Sequence, residues 1–271
     1  IHPRICLITN IGYDHIDRLG DSLQAIAREK AGIMKSRVPV VIGERQPEIE
    51  EVFRQAAATV GADLNYANDT YQVTSEKRGL SVYQHGKAIL NGVILDLKGP
   101  FQLRNLPGVL KTLAIARNQG FVITDDQVRQ GLAQVVSLTG IKGRWQTLSE
   151  EPKVICDTGH NAAALKETVA ELRRLCEGVL HLVLGFVNDK DINGMLEVLP
   201  KEAHYYFCSA TVPRSMDAQE LADIAKTFGL IGCSVTDPNE ALTAARRKAN
   251  PEDLIFIGGS TFVVAELHDL A

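Results

Sequence analysis

An uninterrupted apolar run from Ile5 to Thr9 predicts a buried strand near the start of the chain. Asp21-Ser22-Leu23-Gln24 has the spacing of a capping box, with Gln at the third helical position. The helix it opens is expected to run to about Ala31, with Leu23, Ile26 and Ala27 on one face. Val38 to Ile42 predicts the next buried strand and Pro47 to Val60 the next helix. This β-α-β-α order is the grammar of a parallel sheet covered by helices. From Leu64 to Leu97 the period shortens. Tyr71-Gln72-Val73-Thr74, Leu80-Ser81-Val82-Tyr83 and Val93-Ile94-Leu95 are broken by Gly and Asn and read as antiparallel strands. Two helices are expected next, near Asn105 to Gln119 and Thr124 to Leu138, the second with Thr124 and Gln127 spaced as a capping box.

Leu138-Thr139-Gly140-Ile141-Lys142-Gly143 is short, Gly-bearing and the best linker candidate, so we divide the chain into residues 1–138 and 139–271. Beyond it the β-α alternation returns. Strands are expected at Val154-Ile155-Cys156, Leu182-Val183-Leu184, Tyr205-Tyr206-Phe207 and Leu254-Ile255-Phe256-Ile257. Helices are expected at Ala163 to Cys176, Asn193 to Leu199, Gln219 to Phe228, Glu240 to Lys248 and Thr261 to Leu267. The second segment therefore reads as a Rossmann-like three-layer domain. No G-x-G-x-x-G follows its first strand, which weakens a nicotinamide or flavin reading.

Composition narrows the function. The 271 residues are 45% hydrophobic and 23% charged, ordinary for a globular protein, and the formal net charge of −4 argues against a general nucleic-acid binder. No apolar run reaches the length of a membrane span and no secretory signal opens the chain, so a cytoplasmic protein without a membrane partner is expected. Of the five cysteines, Cys6, Cys156 and Cys208 sit in apolar strand-like runs and none forms a C-x-x-C pair, so they read as reduced, packed thiols. The first residue is Ile1 rather than Met, and a strand begins almost at once. A chain cut inside a domain would look like this.

Open α/β sheets bind ligands outside the carboxyl ends of their strands. That rule selects four polar places where an apolar strand has just ended: Asp14-His15, Asp157 to Asn161, Asp189-Lys190-Asp191, and Gly258-Gly259-Ser260. Asp14 and His15 can hold a cation or cap a helix. Lys30, beside Ala31-Gly32, is either a lysine favoured by the helix dipole or a buried, desolvated amine able to form a carbamate with CO₂. Asp157 can hold a phosphate-bound Mg²⁺ or orient a ribose, and His160 with the amides opening the next helix can meet an anion; as an N-capping loop the segment is equally ordinary. Arg144 in Gly143-Arg144-Trp145 is a planar fork for a phosphate, or a solvated arginine. Gly258-Gly259-Ser260 suits a small carboxylate.

Taken in order along the chain, these phrases are more specific than any one of them. Thr9-Asn10-Ile11-Gly12-Tyr13-Asp14-His15, Leu19-Gly20-Asp21-Ser22 and Ile26-Ala27-Arg28-Glu29-Lys30-Ala31-Gly32-Ile33 resemble the folylpolyglutamate synthase/dihydrofolate synthase family, which belongs with the Mur ligases. Phe101-Gln102-Leu103-Arg104-Asn105, Gly143-Arg144-Trp145-Gln146, Asp157-Thr158-Gly159-His160-Asn161, Gly185 with Asp189-Lys190-Asp191, and Gly258-Gly259-Ser260 follow in the family's sequence, so the resemblance covers essentially the whole chain. It implies an α/β fold: the second half of a central Mur-ligase-type ATPase domain, then a Rossmann-like C-terminal ligase domain. It also implies an ATP-dependent ligase that activates a folate carboxylate as an acyl phosphate, which the amine of glutamate attacks. ATP and Mg are the implied cofactors, folate, glutamate and ATP the small-molecule partners, and a monomer the expected state of the intact protein. By the same resemblance His15 is a metal ligand, Lys30 the lysine carbamylated in many members, Asn105 a contact near adenine, and Arg144 and Asp157 ATP contacts from the C-terminal domain. His160, acting in catalysis, and Lys190 and Ser260, binding glutamate, complete the set. Closure about Leu138 to Gly143 would then gate the reaction.

Two departures stand out. Ala162 follows Asn161 where the family usually has Pro, a residue that shapes a helix start. No G-x-x-x-x-G-K-[ST] occurs, and the resemblance implies that this phosphate-binding segment lies in the roughly 150 residues, about a domain, that would precede Ile1. On that expectation the isolated chain is inactive. The alternatives are a Mur-type ligase acting on a cell-wall precursor and a non-catalytic nucleotide-binding module.

Overall fold

A computed structural model describes residues 2–13 and 22–270. The chain divides into two compact units, Ile1–Gly140 and Ile141–Ala271.

In the first unit, β1 (Cys6–Ile8), β2 (Val40–Ile42) and β3 (Leu64–Tyr66) form a parallel sheet in the order β1-β2-β3, with Cys6 opposite Val40 and Val40 opposite Leu64. Val40, Val41 and Ile42 are buried on both faces, and each such burial stabilises the fold by roughly 1.5–3 kcal/mol. Helix α1 (Leu23–Ala31) and helix α2 (Glu50–Val60) cover one face. Ile26, Ala27 and Ala31 of α1 and Phe53 and Ala57 of α2 pack with Cys6, Ile8, Val40 and Ile42. The N-cap of α1 is Ser22, whose hydroxyl accepts from the Ala25 amide at 3.2 Å. Gln24, expected to close a capping box with Asp21, instead donates to the Glu48 carbonyl at 3.1 Å.

Strands β4 (Tyr71–Glu76), β5 (Gly79–Gln84) and β6 (Lys87–Val93) form an antiparallel meander, as the alternation predicts, although the third strand ends where the expected one began. Val82, Leu90 and Val93 pack on Leu106 and Leu110 of α3 (Gln102–Asn118) and Val128 and Leu132 of α4 (Asp125–Ala133). The Thr124–Gln127 capping box is complete: Gln127 N donates to Thr124 Oγ1 at 3.2 Å and Thr124 N to Gln127 Oε1 at 2.8 Å. The single helix expected to Leu138 breaks at Gln134. The Asp96 carboxylate captures the Val136 amide at 2.9 Å and starts α5 (Val135–Thr139) afresh.

The second unit holds a six-stranded sheet. Its strands are β7 (Gln146–Glu150), β8 (Lys153–Asp157), β9 (Leu180–Leu184), β10 (His204–Phe207), β11 (Gly232–Ser234) and β12 (Leu254–Gly258), in the order β11-β10-β9-β12-β8-β7. All neighbours are parallel except the β7–β8 pair. The helices are α6 (Ala162–Leu175), α7 (Ile192–Glu197), α8 (Ala218–Thr227), α9 (Pro238–Lys248) and α10 (Thr261–Ala265). Successive steps from β8 to β11 run one way across the sheet, and the step to β12 runs back. Right-handed crossovers therefore put the helices of the forward steps on one face and the return helix on the other. Packing agrees: α6, α7 and α8 lie with Ile155, Leu182, Leu184, Phe207 and Phe256, while α9 and α10 lie with Val154, Cys156, Val183, Tyr206 and Ile257.

At the amino ends of the strands sits a buried polar cluster. His181 Nε2 lies 3.4 Å from Asp253 Oδ2 and its Nδ1 3.4 Å from the Tyr206 hydroxyl. Asp253 also accepts from the Val179 and Asn250 amides, at 2.6 and 2.7 Å.

Candidate functional site

The parallel strands of the second unit end side by side. Asp157 at the end of β8 pairs with Gly258 of β12, which pairs with Leu184 of β9. The loops leaving these three ends carry Arg144's neighbours, His160, Lys190 and Ser260. Five of the eight expected site residues thus belong to one sheet edge of one unit.

Asp157 is 2% exposed, and both of its oxygens accept backbone amides: Trp145 N at 2.8 Å and Gly159 N at 2.7 Å. Burial pushes its carboxyl above the ordinary range, opposed by those two amides and by the nearby charges of Arg144 and His160. The Thr158 amide donates to the Gly143 carbonyl at 3.0 Å, and the Gly143 amide to Gln146 Oε1 at 2.9 Å. The turn 143–146 is therefore fastened to the loop 157–159 at several points. Gly143 has φ +70°, and a Cβ there would stand 2.7 Å from Val264 Cγ1, so both conformation and space call for glycine. Trp145 takes φ +50° without being glycine, a strain that the hydrogen bond its backbone N–H donates to Asp157 offsets. Between them Arg144 is exposed.

His160 is half-buried, with Nδ1 3.0 Å from the Thr158 carbonyl. A carbonyl only accepts, so Nδ1 carries the proton in this contact. Asn161 caps α6 by accepting from the Ala164 amide at 2.8 Å, and the helix starts without the family's Pro. Ser260, 2% exposed, caps α10: its Oγ accepts from Phe262 N at 3.2 Å, which leaves its O–H to donate. Gly259 before it has φ +86°, and a Cβ would lie 2.5 Å from the Phe186 ring. Lys190 is half-buried between Asp189 and Asp191, the latter capping α7 through Gly194 N at 3.0 Å.

The sequence rule passed over the loop after β10, because Pro213-Arg214-Ser215 reads as an ordinary turn. Arg214 Nη1 lies 3.1 Å from Asp189 Oδ2, and its guanidinium carbon sits 4.8 Å from the Phe262 ring centroid. The signal available was the carboxyl-end rule itself, applied to every parallel strand.

In the first unit the expected residues are not gathered in this way. Lys30 lies in the last turn of α1, where the dipole favours a cation. It is exposed rather than buried. One turn after Ile26, it stands only about 40° from that core residue around the helix. Asn105 is half-buried in the first turn of α3, its Nδ2 donating to Gln102 Oε1 at 3.1 Å. Asp14 and His15 lie outside the described residues. Among the described residues no group of three His, Cys, Asp or Glu is arranged to hold a metal ion, and no helix is long and apolar enough to cross a membrane.

Comparison with known proteins fits this architecture. The Mur ligase middle domain matches residues 1–113, and the Mur ligase glutamate ligase domain matches residues 143–261. Fold and edge site together define a chain of the Mur ligase type. The dihydrofolate synthase/folylpolyglutamate synthase of Escherichia coli strain K12 is 30% identical over 274 residues, covering 98% of this chain and 60% of that protein. Escherichia coli FolC, solved in complex with DHPP and ADP, superposes with a TM-score of 0.82 at 28% identity, covering 98% of this chain and 60% of that one. A bifunctional folylpolyglutamate synthase/dihydrofolate synthase solved with Mn, AMPPNP and L-glutamate bound gives a TM-score of 0.79 at 28% identity, covering 98% and 61%. The chain belongs to the folylpolyglutamate synthase/dihydrofolate synthase family. It spans about 60% of the length of these relatives.

Proposed function

We propose that this chain serves an ATP-dependent ligase that joins L-glutamate to folate or dihydropteroate through an acyl phosphate. One observation carries the reading: the Asp157 carboxylate fastens the Arg144 turn beside the Gly258-Gly259-Ser260 rim, at the carboxyl edge of a parallel sheet. Phosphoryl transfer between two anions depends on neutralising and positioning charge. Arg144, exposed on a turn held at both ends, supplies a planar fork for nucleotide phosphates. Asp157 sets the direction of that fork, and Asn105 on α3 is the contact near adenine. The amine of glutamate then attacks the acyl carbon, the C–N bond forms, and phosphate leaves with the C–O bonding pair. His160, when its ring is neutral, is suited to take the proton the amine loses. Lys190 and the Ser260 hydroxyl bind the incoming glutamate.

A divalent cation supplies Lewis-acid neutralisation of the phosphates when bound. The described residues hold no complete donor set for it, and Mg²⁺ bound through His15 rests on family likeness alone. Lys30 as the carbamate-bearing residue rests on family likeness alone, because its side chain is exposed here rather than buried. The decisive assay gives the full gene product ATP, L-glutamate and each folate acceptor in turn. Equal amounts of ADP, phosphate and glutamylated product are expected. Turnover only with a cell-wall precursor would select the Mur-type alternative, and no turnover with either would favour a binding module.

A further inference from the structure

We propose that the layer built from β4, β5, β6, α3 and α4 holds a binding site for a small, neutral, planar aromatic amide. The inference goes beyond the ligase reading and does not depend on it. A recess of about 210 Å³ opens in this layer. Its apolar walls are Ile89 and Leu90 of β6, Leu110 and Leu113 of α3, and Val128 of α4. Leu90, Leu110 and Val128 belong to the layer's own core. Protein cores ordinarily leave few voids larger than a water molecule, and roughly 150 Å³ of apolar space is enough to take up benzene. The recess therefore has room for a substituted aromatic ring.

The polar side chains around it are as informative as the space. Tyr71 of β4 and Gln84 of β5 line the recess and are direct cross-strand partners, so they share one face of the meander. Tyr71 is only 6% exposed, yet its hydroxyl makes no hydrogen bond among the described residues. Buried polar groups find partners as a rule, so this hydroxyl takes its partner from whatever occupies the recess. Burial holds the phenol above its ordinary value, against the nearby charge of Arg117, so it remains a donor. The Gln84 side chain also makes no hydrogen bond among the described residues. Arg117 follows Leu110 and Leu113 on the same face of α3 and lines the recess with Asp125 of α4. Its Nη2 donates to Asp125 Oδ1 and its Nε to the Ile123 carbonyl, both at 2.8 Å. Arg117 Nη1 and Asp125 Oδ2 remain without a partner among the described residues.

This ion pair decides the charge of the ligand. The two charges compensate each other, so neither a carboxylate nor an ammonium meets an unopposed partner there. With Tyr71 and Gln84 the pair offers donors and an acceptor side by side. An amide presents the complement, an oxygen that accepts next to an N–H that donates. An aromatic ring bearing that group fills the apolar walls and meets the polar ones.

Benzamide is the probe, titrated against the 271-residue chain by saturation-transfer NMR, with benzoate and toluene as controls of similar shape. Benzamide should bind saturably and about 3- to 10-fold more tightly than either control, the scale of one neutral hydrogen bond. Tyr71→Phe keeps the ring and removes the hydroxyl; it should weaken benzamide by the same factor and leave toluene unchanged. Ala114→Leu, on the recess wall, should fill the space and abolish binding. Thermal unfolding checks that both variants fold, and Tyr71→Phe decides alone if Ala114→Leu does not. Absence of saturable binding to the native chain overturns the site, as does a folded Ala114→Leu that binds benzamide normally. Benzoate or toluene binding as tightly as benzamide, or an unchanged affinity in Tyr71→Phe, overturns the ligand assignment.

Discussion

The two units treat their candidate residues in opposite ways. In residues 141–271 a six-stranded sheet brings Asp157, His160, Lys190, Ser260 and Arg214 to one edge, and hydrogen bonds fix the loops that carry them. In residues 1–140 the sheet of β1 to β3 has three short strands, and Lys30 and Asn105 lie in terminal turns of helices, with Asn105 bonded one turn away to Gln102. A sheet edge can organise a site when several parallel strands end together, because each loop then finds a neighbour's amides. The first unit supplies residues of the right type; the second supplies residues already held in geometry.

That contrast can be broken from its strongest side first. Lys30→Ala should abolish ligation in the full-length enzyme while leaving folding intact, since the side chain is exposed. Short carboxylates should partly restore the rate, and normal folding without rescue would remove the carbamate role. Asp157→Ala should act on the scaffold instead. It leaves the Trp145 and Gly159 amides unsatisfied, at a cost of about 2–3 kcal/mol. Urea unfolding measures this loss, and the emission of Trp145, the chain's one tryptophan, should shift to the red.

A subtler difference is expected in pH dependence. Burial holds His181 below its ordinary value, with Asp253 opposing and His204 and Lys248 pushing the same way as burial. A depressed imidazole is neutral in the fold. Its contribution is present above the unfolded value of about 6.5 and is lost as pH falls through the lower folded value. The second unit should therefore weaken on acidification from pH 7 to 5, by no more than about 1.4 kcal/mol per pH unit for one proton. His181→Gln should flatten that slope; an unchanged slope would clear His181 of the effect. The smallest change is expected in the first unit, where Thr124→Ala removes a complete capping box at a cost of about 1 kcal/mol, measured by urea unfolding.

Much of this was legible in the sequence, and the exceptions have physical causes. The buried strands announce themselves because both faces are apolar, as in Val40-Val41-Ile42 and Leu254-Ile255-Phe256-Ile257. Strands β7 and β11 escaped notice because Gln-Thr-Leu-Ser-Glu and Gly-Cys-Ser are sheet-edge segments with no buried residue. Ser22 rather than Asp21 caps α1, a one-residue shift that spacing alone does not resolve. Lys30 was legible as a helix-end cation, but its exposure depends on what covers the last turn, which is a tertiary fact. Arg214 was missed because its side-chain partner, Asp189, lies 25 residues away in sequence.

The buried thiols have a consequence of their own. Cys6 lies in the core of the first unit, Cys156 and Cys208 in that of the second, while Cys233 is exposed. Burial pushes the Cys156 thiol up to about 12 and raises Cys6 and Cys208 as well, so all three are poor nucleophiles until their surroundings open. The chain thus carries its own pair of clocks. Alkylation followed by peptide mass spectrometry would time the opening of each unit separately in one sample, with Cys233 marking zero.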